Sequence, residues 1–596
     1  MTLGLQRLAR TLGPLRSEQW WGRLRRVVVE GMDRRPPGWW AERPLRGAAV
    51  RLRRGDGPWP AWAYGEGHPQ GDELMSGVVR VLDQPASWRG GWPWGAAERG
   101  PLFVLPLHGF AMVDPLLAQG QRGAEVIRDA MDHWMATQPI PARPAWHPYT
   151  LSRRIQAWAK ALALSQLPGD EARIRSLGTQ VEALIDRREL DLQANHLWEN
   201  AVAIELARAV LEGPERWGLV SEPLLRKVLG EQLLPAGGHE ERTAMYHAVL
   251  TAGLLDLLAA RRRAGLPEGE VRGAAERMLR WLERVSPRSG RLPQLNDAAP
   301  GPAPTLGSLR AGAAALGLAV PAPRDGAEVL DGWVVCRAGG HHLLFDAAQV
   351  GAEHQPGHAH ADTLSFEWIV ADAPIVVDPG VAGYHQDPHR GWGRSTAAHA
   401  TVALEGEDSA ELWGTFRIGR RPAQCEVLPP RALRTPRGVA WALGGSHDGY
   451  RHLDGAPIHR RTLVVWAIDD ARSVLWIADR VLGGPAAGVS RLPLERGLGW
   501  DPASGRLTGR QGEVRGFGFD AIEVVAGRVS ACMGRWEPSQ VIAGSFSPSR
   551  ATGWVLLVGE GLSLVEGEAL EVHLDGRRLA SVPRPDQVEE PDRLWP

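Results

Sequence analysis

Lysine is almost missing: Lys160 and Lys227 are the only two in 596 residues, so arginine carries nearly all the positive charge. Arginine suits bidentate recognition of carboxylates, although so uniform a skew also reads as composition bias. Cysteine is as thin. Cys336, Cys425 and Cys532 are odd in number and far apart, which excludes a disulfide framework and a zinc-knuckle spacing and leaves buried free thiols. No run approaches the roughly 18 apolar residues of a membrane span. The opening MTLGLQRLARTLGPLRSEQWWGRLRR spreads basic residues throughout, with no continuous apolar core, and does not read as a signal peptide. The expected location is therefore cytoplasmic, with the periplasm as the alternative. Net charge is absent too. A formal −1 gives no whole-chain field towards nucleic acid or acidic lipid, and no nucleic-acid partner is expected.

What is present describes a globular protein, with 44% hydrophobic and 23% charged residues, long enough for two or three domains. Residues 1–70 are rich in Arg, Trp, Pro and Gly, with a short helical opening, and read as an N-terminal extension. From 71 to 320 the period is helical. EVIRDAMDHWMATQ, LSRRIQAWAKALALSQL, NHLWENAVAIELARAVLEG, RTAMYHAVLTAGLLDLLAARRRAG and VRGAAERMLRWLERV each place apolar residues three and four apart. Helices in series joined by short loops imply a layered bundle or toroid. Pro300 to Gly326 reads as a last helix and a linker. From 327 to 596 the period becomes two, as in WVVCR, HHLLFDA, LSFEWIV, RRTLVVWAI and RSVLWIAD, with a hairpin turn at Asp469-Asp470. Strands recurring without long helices point to an antiparallel β-sandwich.

Three clusters could carry chemistry. NHLWEN opens a helix and sets His196 and Glu199 on one face beside Asn195. A helix cap and a solvated charge are the plainer reading. GGHEERTAMYH holds His239, Glu240, Arg242, Tyr246 and His247 where a glycine loop enters a helix. Only five tyrosines occur in the chain, so Tyr246 beside histidines is a candidate proton donor, against ordinary packing with its hydroxyl satisfied. EHQPGHAHADTLSFEW holds His354, His358 and His360 at the lip of a strand, where His358 and His360 would share a face. His360, Asp378 in IVVDPG and His399 in RSTAAHAT would make an N,N,O set suited to zinc, although their separation in sequence also fits satisfied polar residues at an interface.

GHAHADTLSFEWIVADAPIVVDPG, followed by RSTAAHATVALEGEDSAELWGTFRIGRR, resembles the C-terminal region of the heparinase II/III family of polysaccharide lyases. NHLWENAVAIELARAVLEG and GGHEERTAMYHAVL resemble its two helical motifs, and LHGFAMVDPL and AWHPYTLSRRIQAW its earlier helices. The match runs in order from about residue 100 to 420. It implies an incomplete (α/α) toroid followed by an antiparallel β-sandwich, with the active site between them. Residue by residue, it makes Tyr246 the proton-transferring tyrosine and His358 the histidine opposite. Asn195 or His196, with Glu199, then corresponds to the helical motif that handles the substrate carboxylate. Tyr149, Arg154, His239, Arg242 and Arg394 are the expected substrate contacts. His360, Asp378 and His399 would hold a structural zinc, and His354 has no assigned task.

The activity so implied is β-elimination on a uronic-acid-containing polysaccharide or oligosaccharide, glycosaminoglycan or alginate-like. Its first need is to neutralise a carboxylate before an adjacent proton can leave, and preorganised donors can supply about 3–4 kcal/mol each. Tyrosine, with a reference pKa of about 10, is neutral and able to donate at neutral pH. Three other readings remain open: a glycoside hydrolase needing two carboxylic acids, a zinc hydrolase using a metal-bound water, and a non-catalytic carbohydrate-binding relative. Assembly as a homodimer is compatible with the sequence.

Overall fold

A computed structural model describes residues 2–33, 50–140, 143–165, 169–548, 551–567 and 569–588. Two helices, α1 (Thr2–Leu12) and α2 (Ser17–Asp33), precede the toroid. Its long helices are α3 (Gly120–Thr137), α4 (Pro148–Ser165), α5 (Glu171–Arg187), α6 (Ala194–Val210), α7 (Arg216–Gln232), α8 (Ala244–Arg263) and α9 (Glu270–Val285). Outer helices are amphipathic. In α9, Val271, Ala274, Ala275, Met278, Leu279 and Leu282 are buried while Gly273, Arg277 and Arg280 face water. The inner pair, α6 and α8, is apolar nearly all round, the composition of a helix enclosed by others. Every residue of α6 but His196 and Arg208 is buried; in α8 the exceptions are Tyr246, Asp256, Arg262 and Arg263. Two expected site residues are thus among the few departures from burial on the innermost helices.

The stretch just before residue 70 packs into this toroid. The Trp59 and Trp62 indoles donate to Asp256 at 2.7 and 2.9 Å, and Lys160, one of the two lysines, binds the same carboxylate at 3.2 Å.

A five-stranded antiparallel sheet follows, in the order β1 (Gly326–Leu330), β2 (Trp333–Ala338), β3 (His341–Asp346), β4 (Phe366–Val370) and β5 (Ala373–Val376). Its middle strands are buried on both faces. Trp333, Val335 and Leu344 join the toroid core, while Val334, Cys336, Leu343 and Phe345 join the sandwich core. Alternate residues of single strands thereby weld the two halves. Beyond it, an eight-stranded antiparallel sheet runs from Cys425–Leu433 through Val439–His447, Ile458–Ala467, Ser473–Leu482, Thr552–Val558 and Gly512–Phe517 to two short strands. Ile458–Ala467 and Ser473–Leu482 pair antiparallel around Asp469-Asp470, as the hairpin turn required. The fold is the toroid and β-sandwich anticipated from the sequence. No helix among the described residues is long and apolar enough to cross a membrane.

Candidate active site

Thr243 caps α8, its hydroxyl accepting the Tyr246 amide at 3.3 Å, and this sets Tyr246 in the first helical turn. There its ring meets His358 from the sandwich half, with centroids 4.3 Å apart. Its phenol shares a 2.8 Å hydrogen bond with the Tyr384 phenol. Burial above all, with Tyr384 and Tyr149 adding to it, pushes the Tyr246 hydroxyl well above its ordinary pKa.

The strand expected to carry His358 and His360 begins later, at Phe366, and both histidines lie in the loop before it. Pro356-Gly357 precede them and interrupt any extended pairing. They still converge on one partner. His358 Nδ1 and His360 Nε2 each lie 2.9 Å from the Asp297 carboxylate, one on each oxygen. Arg390, from the short helix α10 (Pro388–Arg394), pairs with both oxygens, at 2.8 Å on Oδ2. Burial would raise the Asp297 pKa, but the Arg390 charge and the two imidazole hydrogen bonds override it and hold the carboxyl well below its usual range. An ionised Asp297 can only accept, so His358 Nδ1 donates and its Nε2 is left as the free acceptor.

The third wall comes from α6. Gln193 and Ala194 sit at φ of 59° and 47°, a left-handed entry that non-glycine residues seldom adopt. Arg242 (50°) and Asn296 (62°) do the same in the turns leading to Tyr246 and Asp297. Asn195 is buried with Oδ1 unpartnered. His196 keeps 26% of its side chain exposed, takes Glu189 at 2.9 Å through Nδ1, and packs on Tyr149 with ring centroids 4.8 Å apart. Burial disfavours its charge, but Glu189 outweighs this and the His196 pKa is raised.

Several expected contacts lie elsewhere. Arg154 is buried in the toroid: its guanidinium sits 3.9 Å from the Trp134 ring centre and donates to Gln180 and to the His108 and Ala145 carbonyls. Its neighbour Arg153, 31% exposed, is the cation held near Tyr149, by Glu199 at 3.1 Å. Glu199 therefore positions an arginine, with Gln156 on its other oxygen. Arg394 is buried and clamps the Ala359, Gly414 and Thr415 carbonyls, fixing the histidine loop from behind. Arg242 ties the toroid to the sandwich through the Glu240, Asp331 and Gly351 carbonyls. His239 is buried on Gln232 at 3.0 Å and pushed by burial well below its ordinary pKa. Each of these four is committed to carbonyls or side chains of the chain itself and acts as a structural support. His354 is buried as well, 3.7 Å from Glu240.

His360, Asp378 and His399 present ligand atoms within 4.8 Å of one another, all buried. His399 Nδ1 bonds Asp378 at 2.8 Å, while His399 Nε2 and His360 Nδ1 are buried with no partner. Two orphaned imidazole nitrogens beside a carboxylate are costly without an occupant and fit a metal ion. Asp362 borders the cluster with an unpartnered buried oxygen, its pKa raised to about 6, chiefly by burial.

Asp297, Tyr384, Arg390 and Arg153 were not singled out in the sequence. The signal for Asp297 was faint: NDAAP after a helix, with Asn296 accepting the His360 amide at 3.0 Å and donating to the Arg242 carbonyl. For Tyr384 the signal was rarity, since Tyr149, Tyr246 and Tyr384 are three of five tyrosines.

Glu240 supplies a stability prediction. Buried, with Oε1 unpartnered, its carboxyl is raised from 4.5 to about 8 by burial and then by Glu241. Between those values the folded chain holds a proton that the unfolded chain has lost. Stability is therefore full below about pH 4.5 and drains as pH rises towards 8. Glu240→Gln should add more stability at pH 8 than at pH 5, by a difference on the order of a few kcal/mol, and so shift the Tm more at pH 8. Equal shifts at both pH values, by scanning calorimetry, would refute it.

Comparison with known proteins agrees with this fold. Residues 323–501 match the family described as Heparinase II/III-like, C-terminal. FtsZ-localized protein C of Caulobacter vibrioides (strain NA1000 / CB15N) is 27% identical over 419 residues, 67% of this chain and 69% of that one. Among solved structures, heparinase III superposes with a TM-score of 0.62 at 15% identity, covering 81% of this chain and 83% of its own. The heparinase III BT4657 gene product gives 0.57 at 14% identity over 94% of each chain. Heparan sulfate lyase HepC from Pedobacter heparinus gives 0.52 at 16% identity over 95% of each. Residues 323–501 are thus heparinase II/III-like, and at these identities the solved structures establish the fold alone.

Proposed function

We propose that the chain is a polysaccharide lyase that cleaves a uronic-acid-containing polymer or oligomer by β-elimination. One observation carries this reading: Tyr246 of the toroid touches His358 of the sandwich, and Asp297 fixes the His358 tautomer. His358 Nε2 takes the C5 proton, the electron pair forms the C4–C5 double bond, the C4–O4 bond breaks, and the Tyr246 hydroxyl protonates O4. The raised pKa of Tyr246 suits the donor role, because the phenol stays protonated until the leaving oxygen needs it. His196, whose charged form Glu189 favours, neutralises the substrate carboxylate with Asn195 and Arg153. After product leaves, the proton returns from His358 to Tyr246 across neighbouring rings.

Rings in contact at 4.3 Å leave no room for a pyranose between them, so both reach the sugar from one side. That suits a uronate whose C5 proton and C4 oxygen lie on the same face, as in glucuronate rather than its C5 epimer. A hydrolase would need two carboxyls facing the bond. Here Glu199 is paired with Arg153 and Gln156, while Glu240 and Glu241 are buried.

The test is a screen of glucuronate-, iduronate- and mannuronate-containing substrates for ultraviolet-absorbing unsaturated products. New reducing ends without that absorbance would transfer the assignment to a hydrolase, and binding with no product to a carbohydrate-binding protein. We place the reaction in the cytoplasm; recovery of the protein in a periplasmic fraction would overturn that.

The ion proposed for His360, Asp378 and His399 is zinc. When bound it would fix the loop bearing His358, and no step of the reaction passes through it. Chelation should lower the Tm by several degrees and His399→Ala should abolish zinc retention, read by thermal melts and metal content. Unchanged melts with and without zinc would remove the ion from the account.

A further inference from the structure

Seven of the fifteen exposed large hydrophobic residues among those described lie between Leu5 and Val28, on the first two helices. In α2, Trp20, Trp21, Leu24, Val27 and Val28 are 48–67% exposed. At about 100° per residue they fall within an arc of about 120°, bordered on one side by Arg23 and on the other by Arg25. Gln19, Gly22 and Arg26 occupy the opposite face, and that face is already docked. Gln19 donates to the Asp191 and His354 carbonyls, Arg26 pairs with Asp191 at 3.0 Å, and Glu18 pairs with Lys227. A Cβ on Gly22 would lie 2.5 Å from the Asp191 amide nitrogen, so helix and toroid meet backbone to backbone. The apolar arc is therefore a second face, turned away from the core that α2 rests on.

Charge says what covers it. No acidic residue occurs from Trp20 to Val28, while Arg23, Arg25 and Arg26 do. The Arg23 guanidinium lies 5.3 Å from the Trp20 ring centre, an apolar stem under a charged head. Along the Arg25 edge runs a cavity of about 90 Å³ lined by Arg25, Arg26, Arg143, Arg187 and Arg188 against three carboxylates. The near-zero net charge of the whole chain hides this local positive field. An apolar arc with tryptophans, edged by arginines and free of acids, matches a bilayer surface of anionic phospholipid, where rings and aliphatics enter the acyl boundary and guanidiniums meet phosphates. We infer that α2 holds the protein flat on an anionic membrane surface, without spanning it. This does not depend on the lyase reading.

The experiment is flotation of the full chain with phosphatidylcholine vesicles and with vesicles of phosphatidylcholine and phosphatidylglycerol. The wild type should float with the anionic vesicles only, and less at high salt. Leu24→Glu and Val28→Glu, both at exposed positions, should each weaken binding about tenfold or more without moving the Tm. Arg23→Glu combined with Arg25→Glu should remove the preference for anionic lipid. No flotation of the wild type, or unchanged flotation of L24E, overturns the inference. So does a falling Tm in L24E, which would place the stripe against the chain itself. An oligomer that L24E disperses, with no vesicle binding, would assign the face to a second copy instead.

Discussion

Tyr246→Phe should lower kcat on the responsive uronate about 10²–10⁴-fold, the range for loss of a positioned general acid, while KM and Tm stay nearly unchanged. The substitution deletes one hydroxyl and keeps the ring packed on His358, so substrate still binds and the loop still folds. The leaving oxygen then departs without a proton. Tyr384, 2.8 Å from the Tyr246 oxygen, allows a sharper comparison. If Tyr246 is the donor, Tyr384→Phe should be the milder lesion, because it removes a hydrogen-bond partner and leaves the proton in place. Steady-state kinetics by product absorbance decides. A Y246F variant with activity within a few-fold of wild type would end the proposed role.

The second large effect is expected at Asp297. Asp297→Ala leaves the Arg390 guanidinium buried without its carboxylate and unmoors His358 and His360 together. Breaking a buried ion pair from one side costs about 3–5 kcal/mol, so denaturation should report a loss of that order. Asp297→Asn separates positioning from stability. An amide keeps the size and can still bond both imidazoles, but it no longer enforces Nδ1–H on His358 or pairs ionically with Arg390. We expect a folded variant with activity reduced at least about 10²-fold and a displaced pH–rate profile, as befits a residue acting through the general base. A D297N enzyme with an unchanged pH profile would mean that the carboxylate is only structural.

Much of the site was legible because chemistry-bearing residues interrupt strong patterns. Tyr246 and His196 break the burial of two helices that are otherwise enclosed, and both are uncommon side chains in motifs whose order matches a known family. The histidine loop was legible as a cluster but misread as a strand, since alternation of His358 and His360 mimics a pleat. Their shared direction comes from one carboxylate 61 and 63 residues away.

The arginines show the limit. Arg153 and Arg154 are adjacent on α4, about 100° apart around the helix. One, partly exposed, is held by Glu199 near Tyr149, and the other lies on Trp134 in the core. Arg390 and Arg394 divide in the same way, between Asp297 and backbone carbonyls. By itself the sequence determined the order of helices and strands, because these follow from periodicity; the family resemblance singled out Tyr246, His358 and the His360, Asp378 and His399 set, residues that the fold does bring together. Tertiary structure alone decided which arginine stays partly exposed beside Tyr149, which carboxylate His358 meets, and that α2 keeps a second apolar face. Those depend on which distant group each side chain meets once the halves pack, and a charge looks the same in sequence whether a carbonyl, a carboxylate or water will satisfy it.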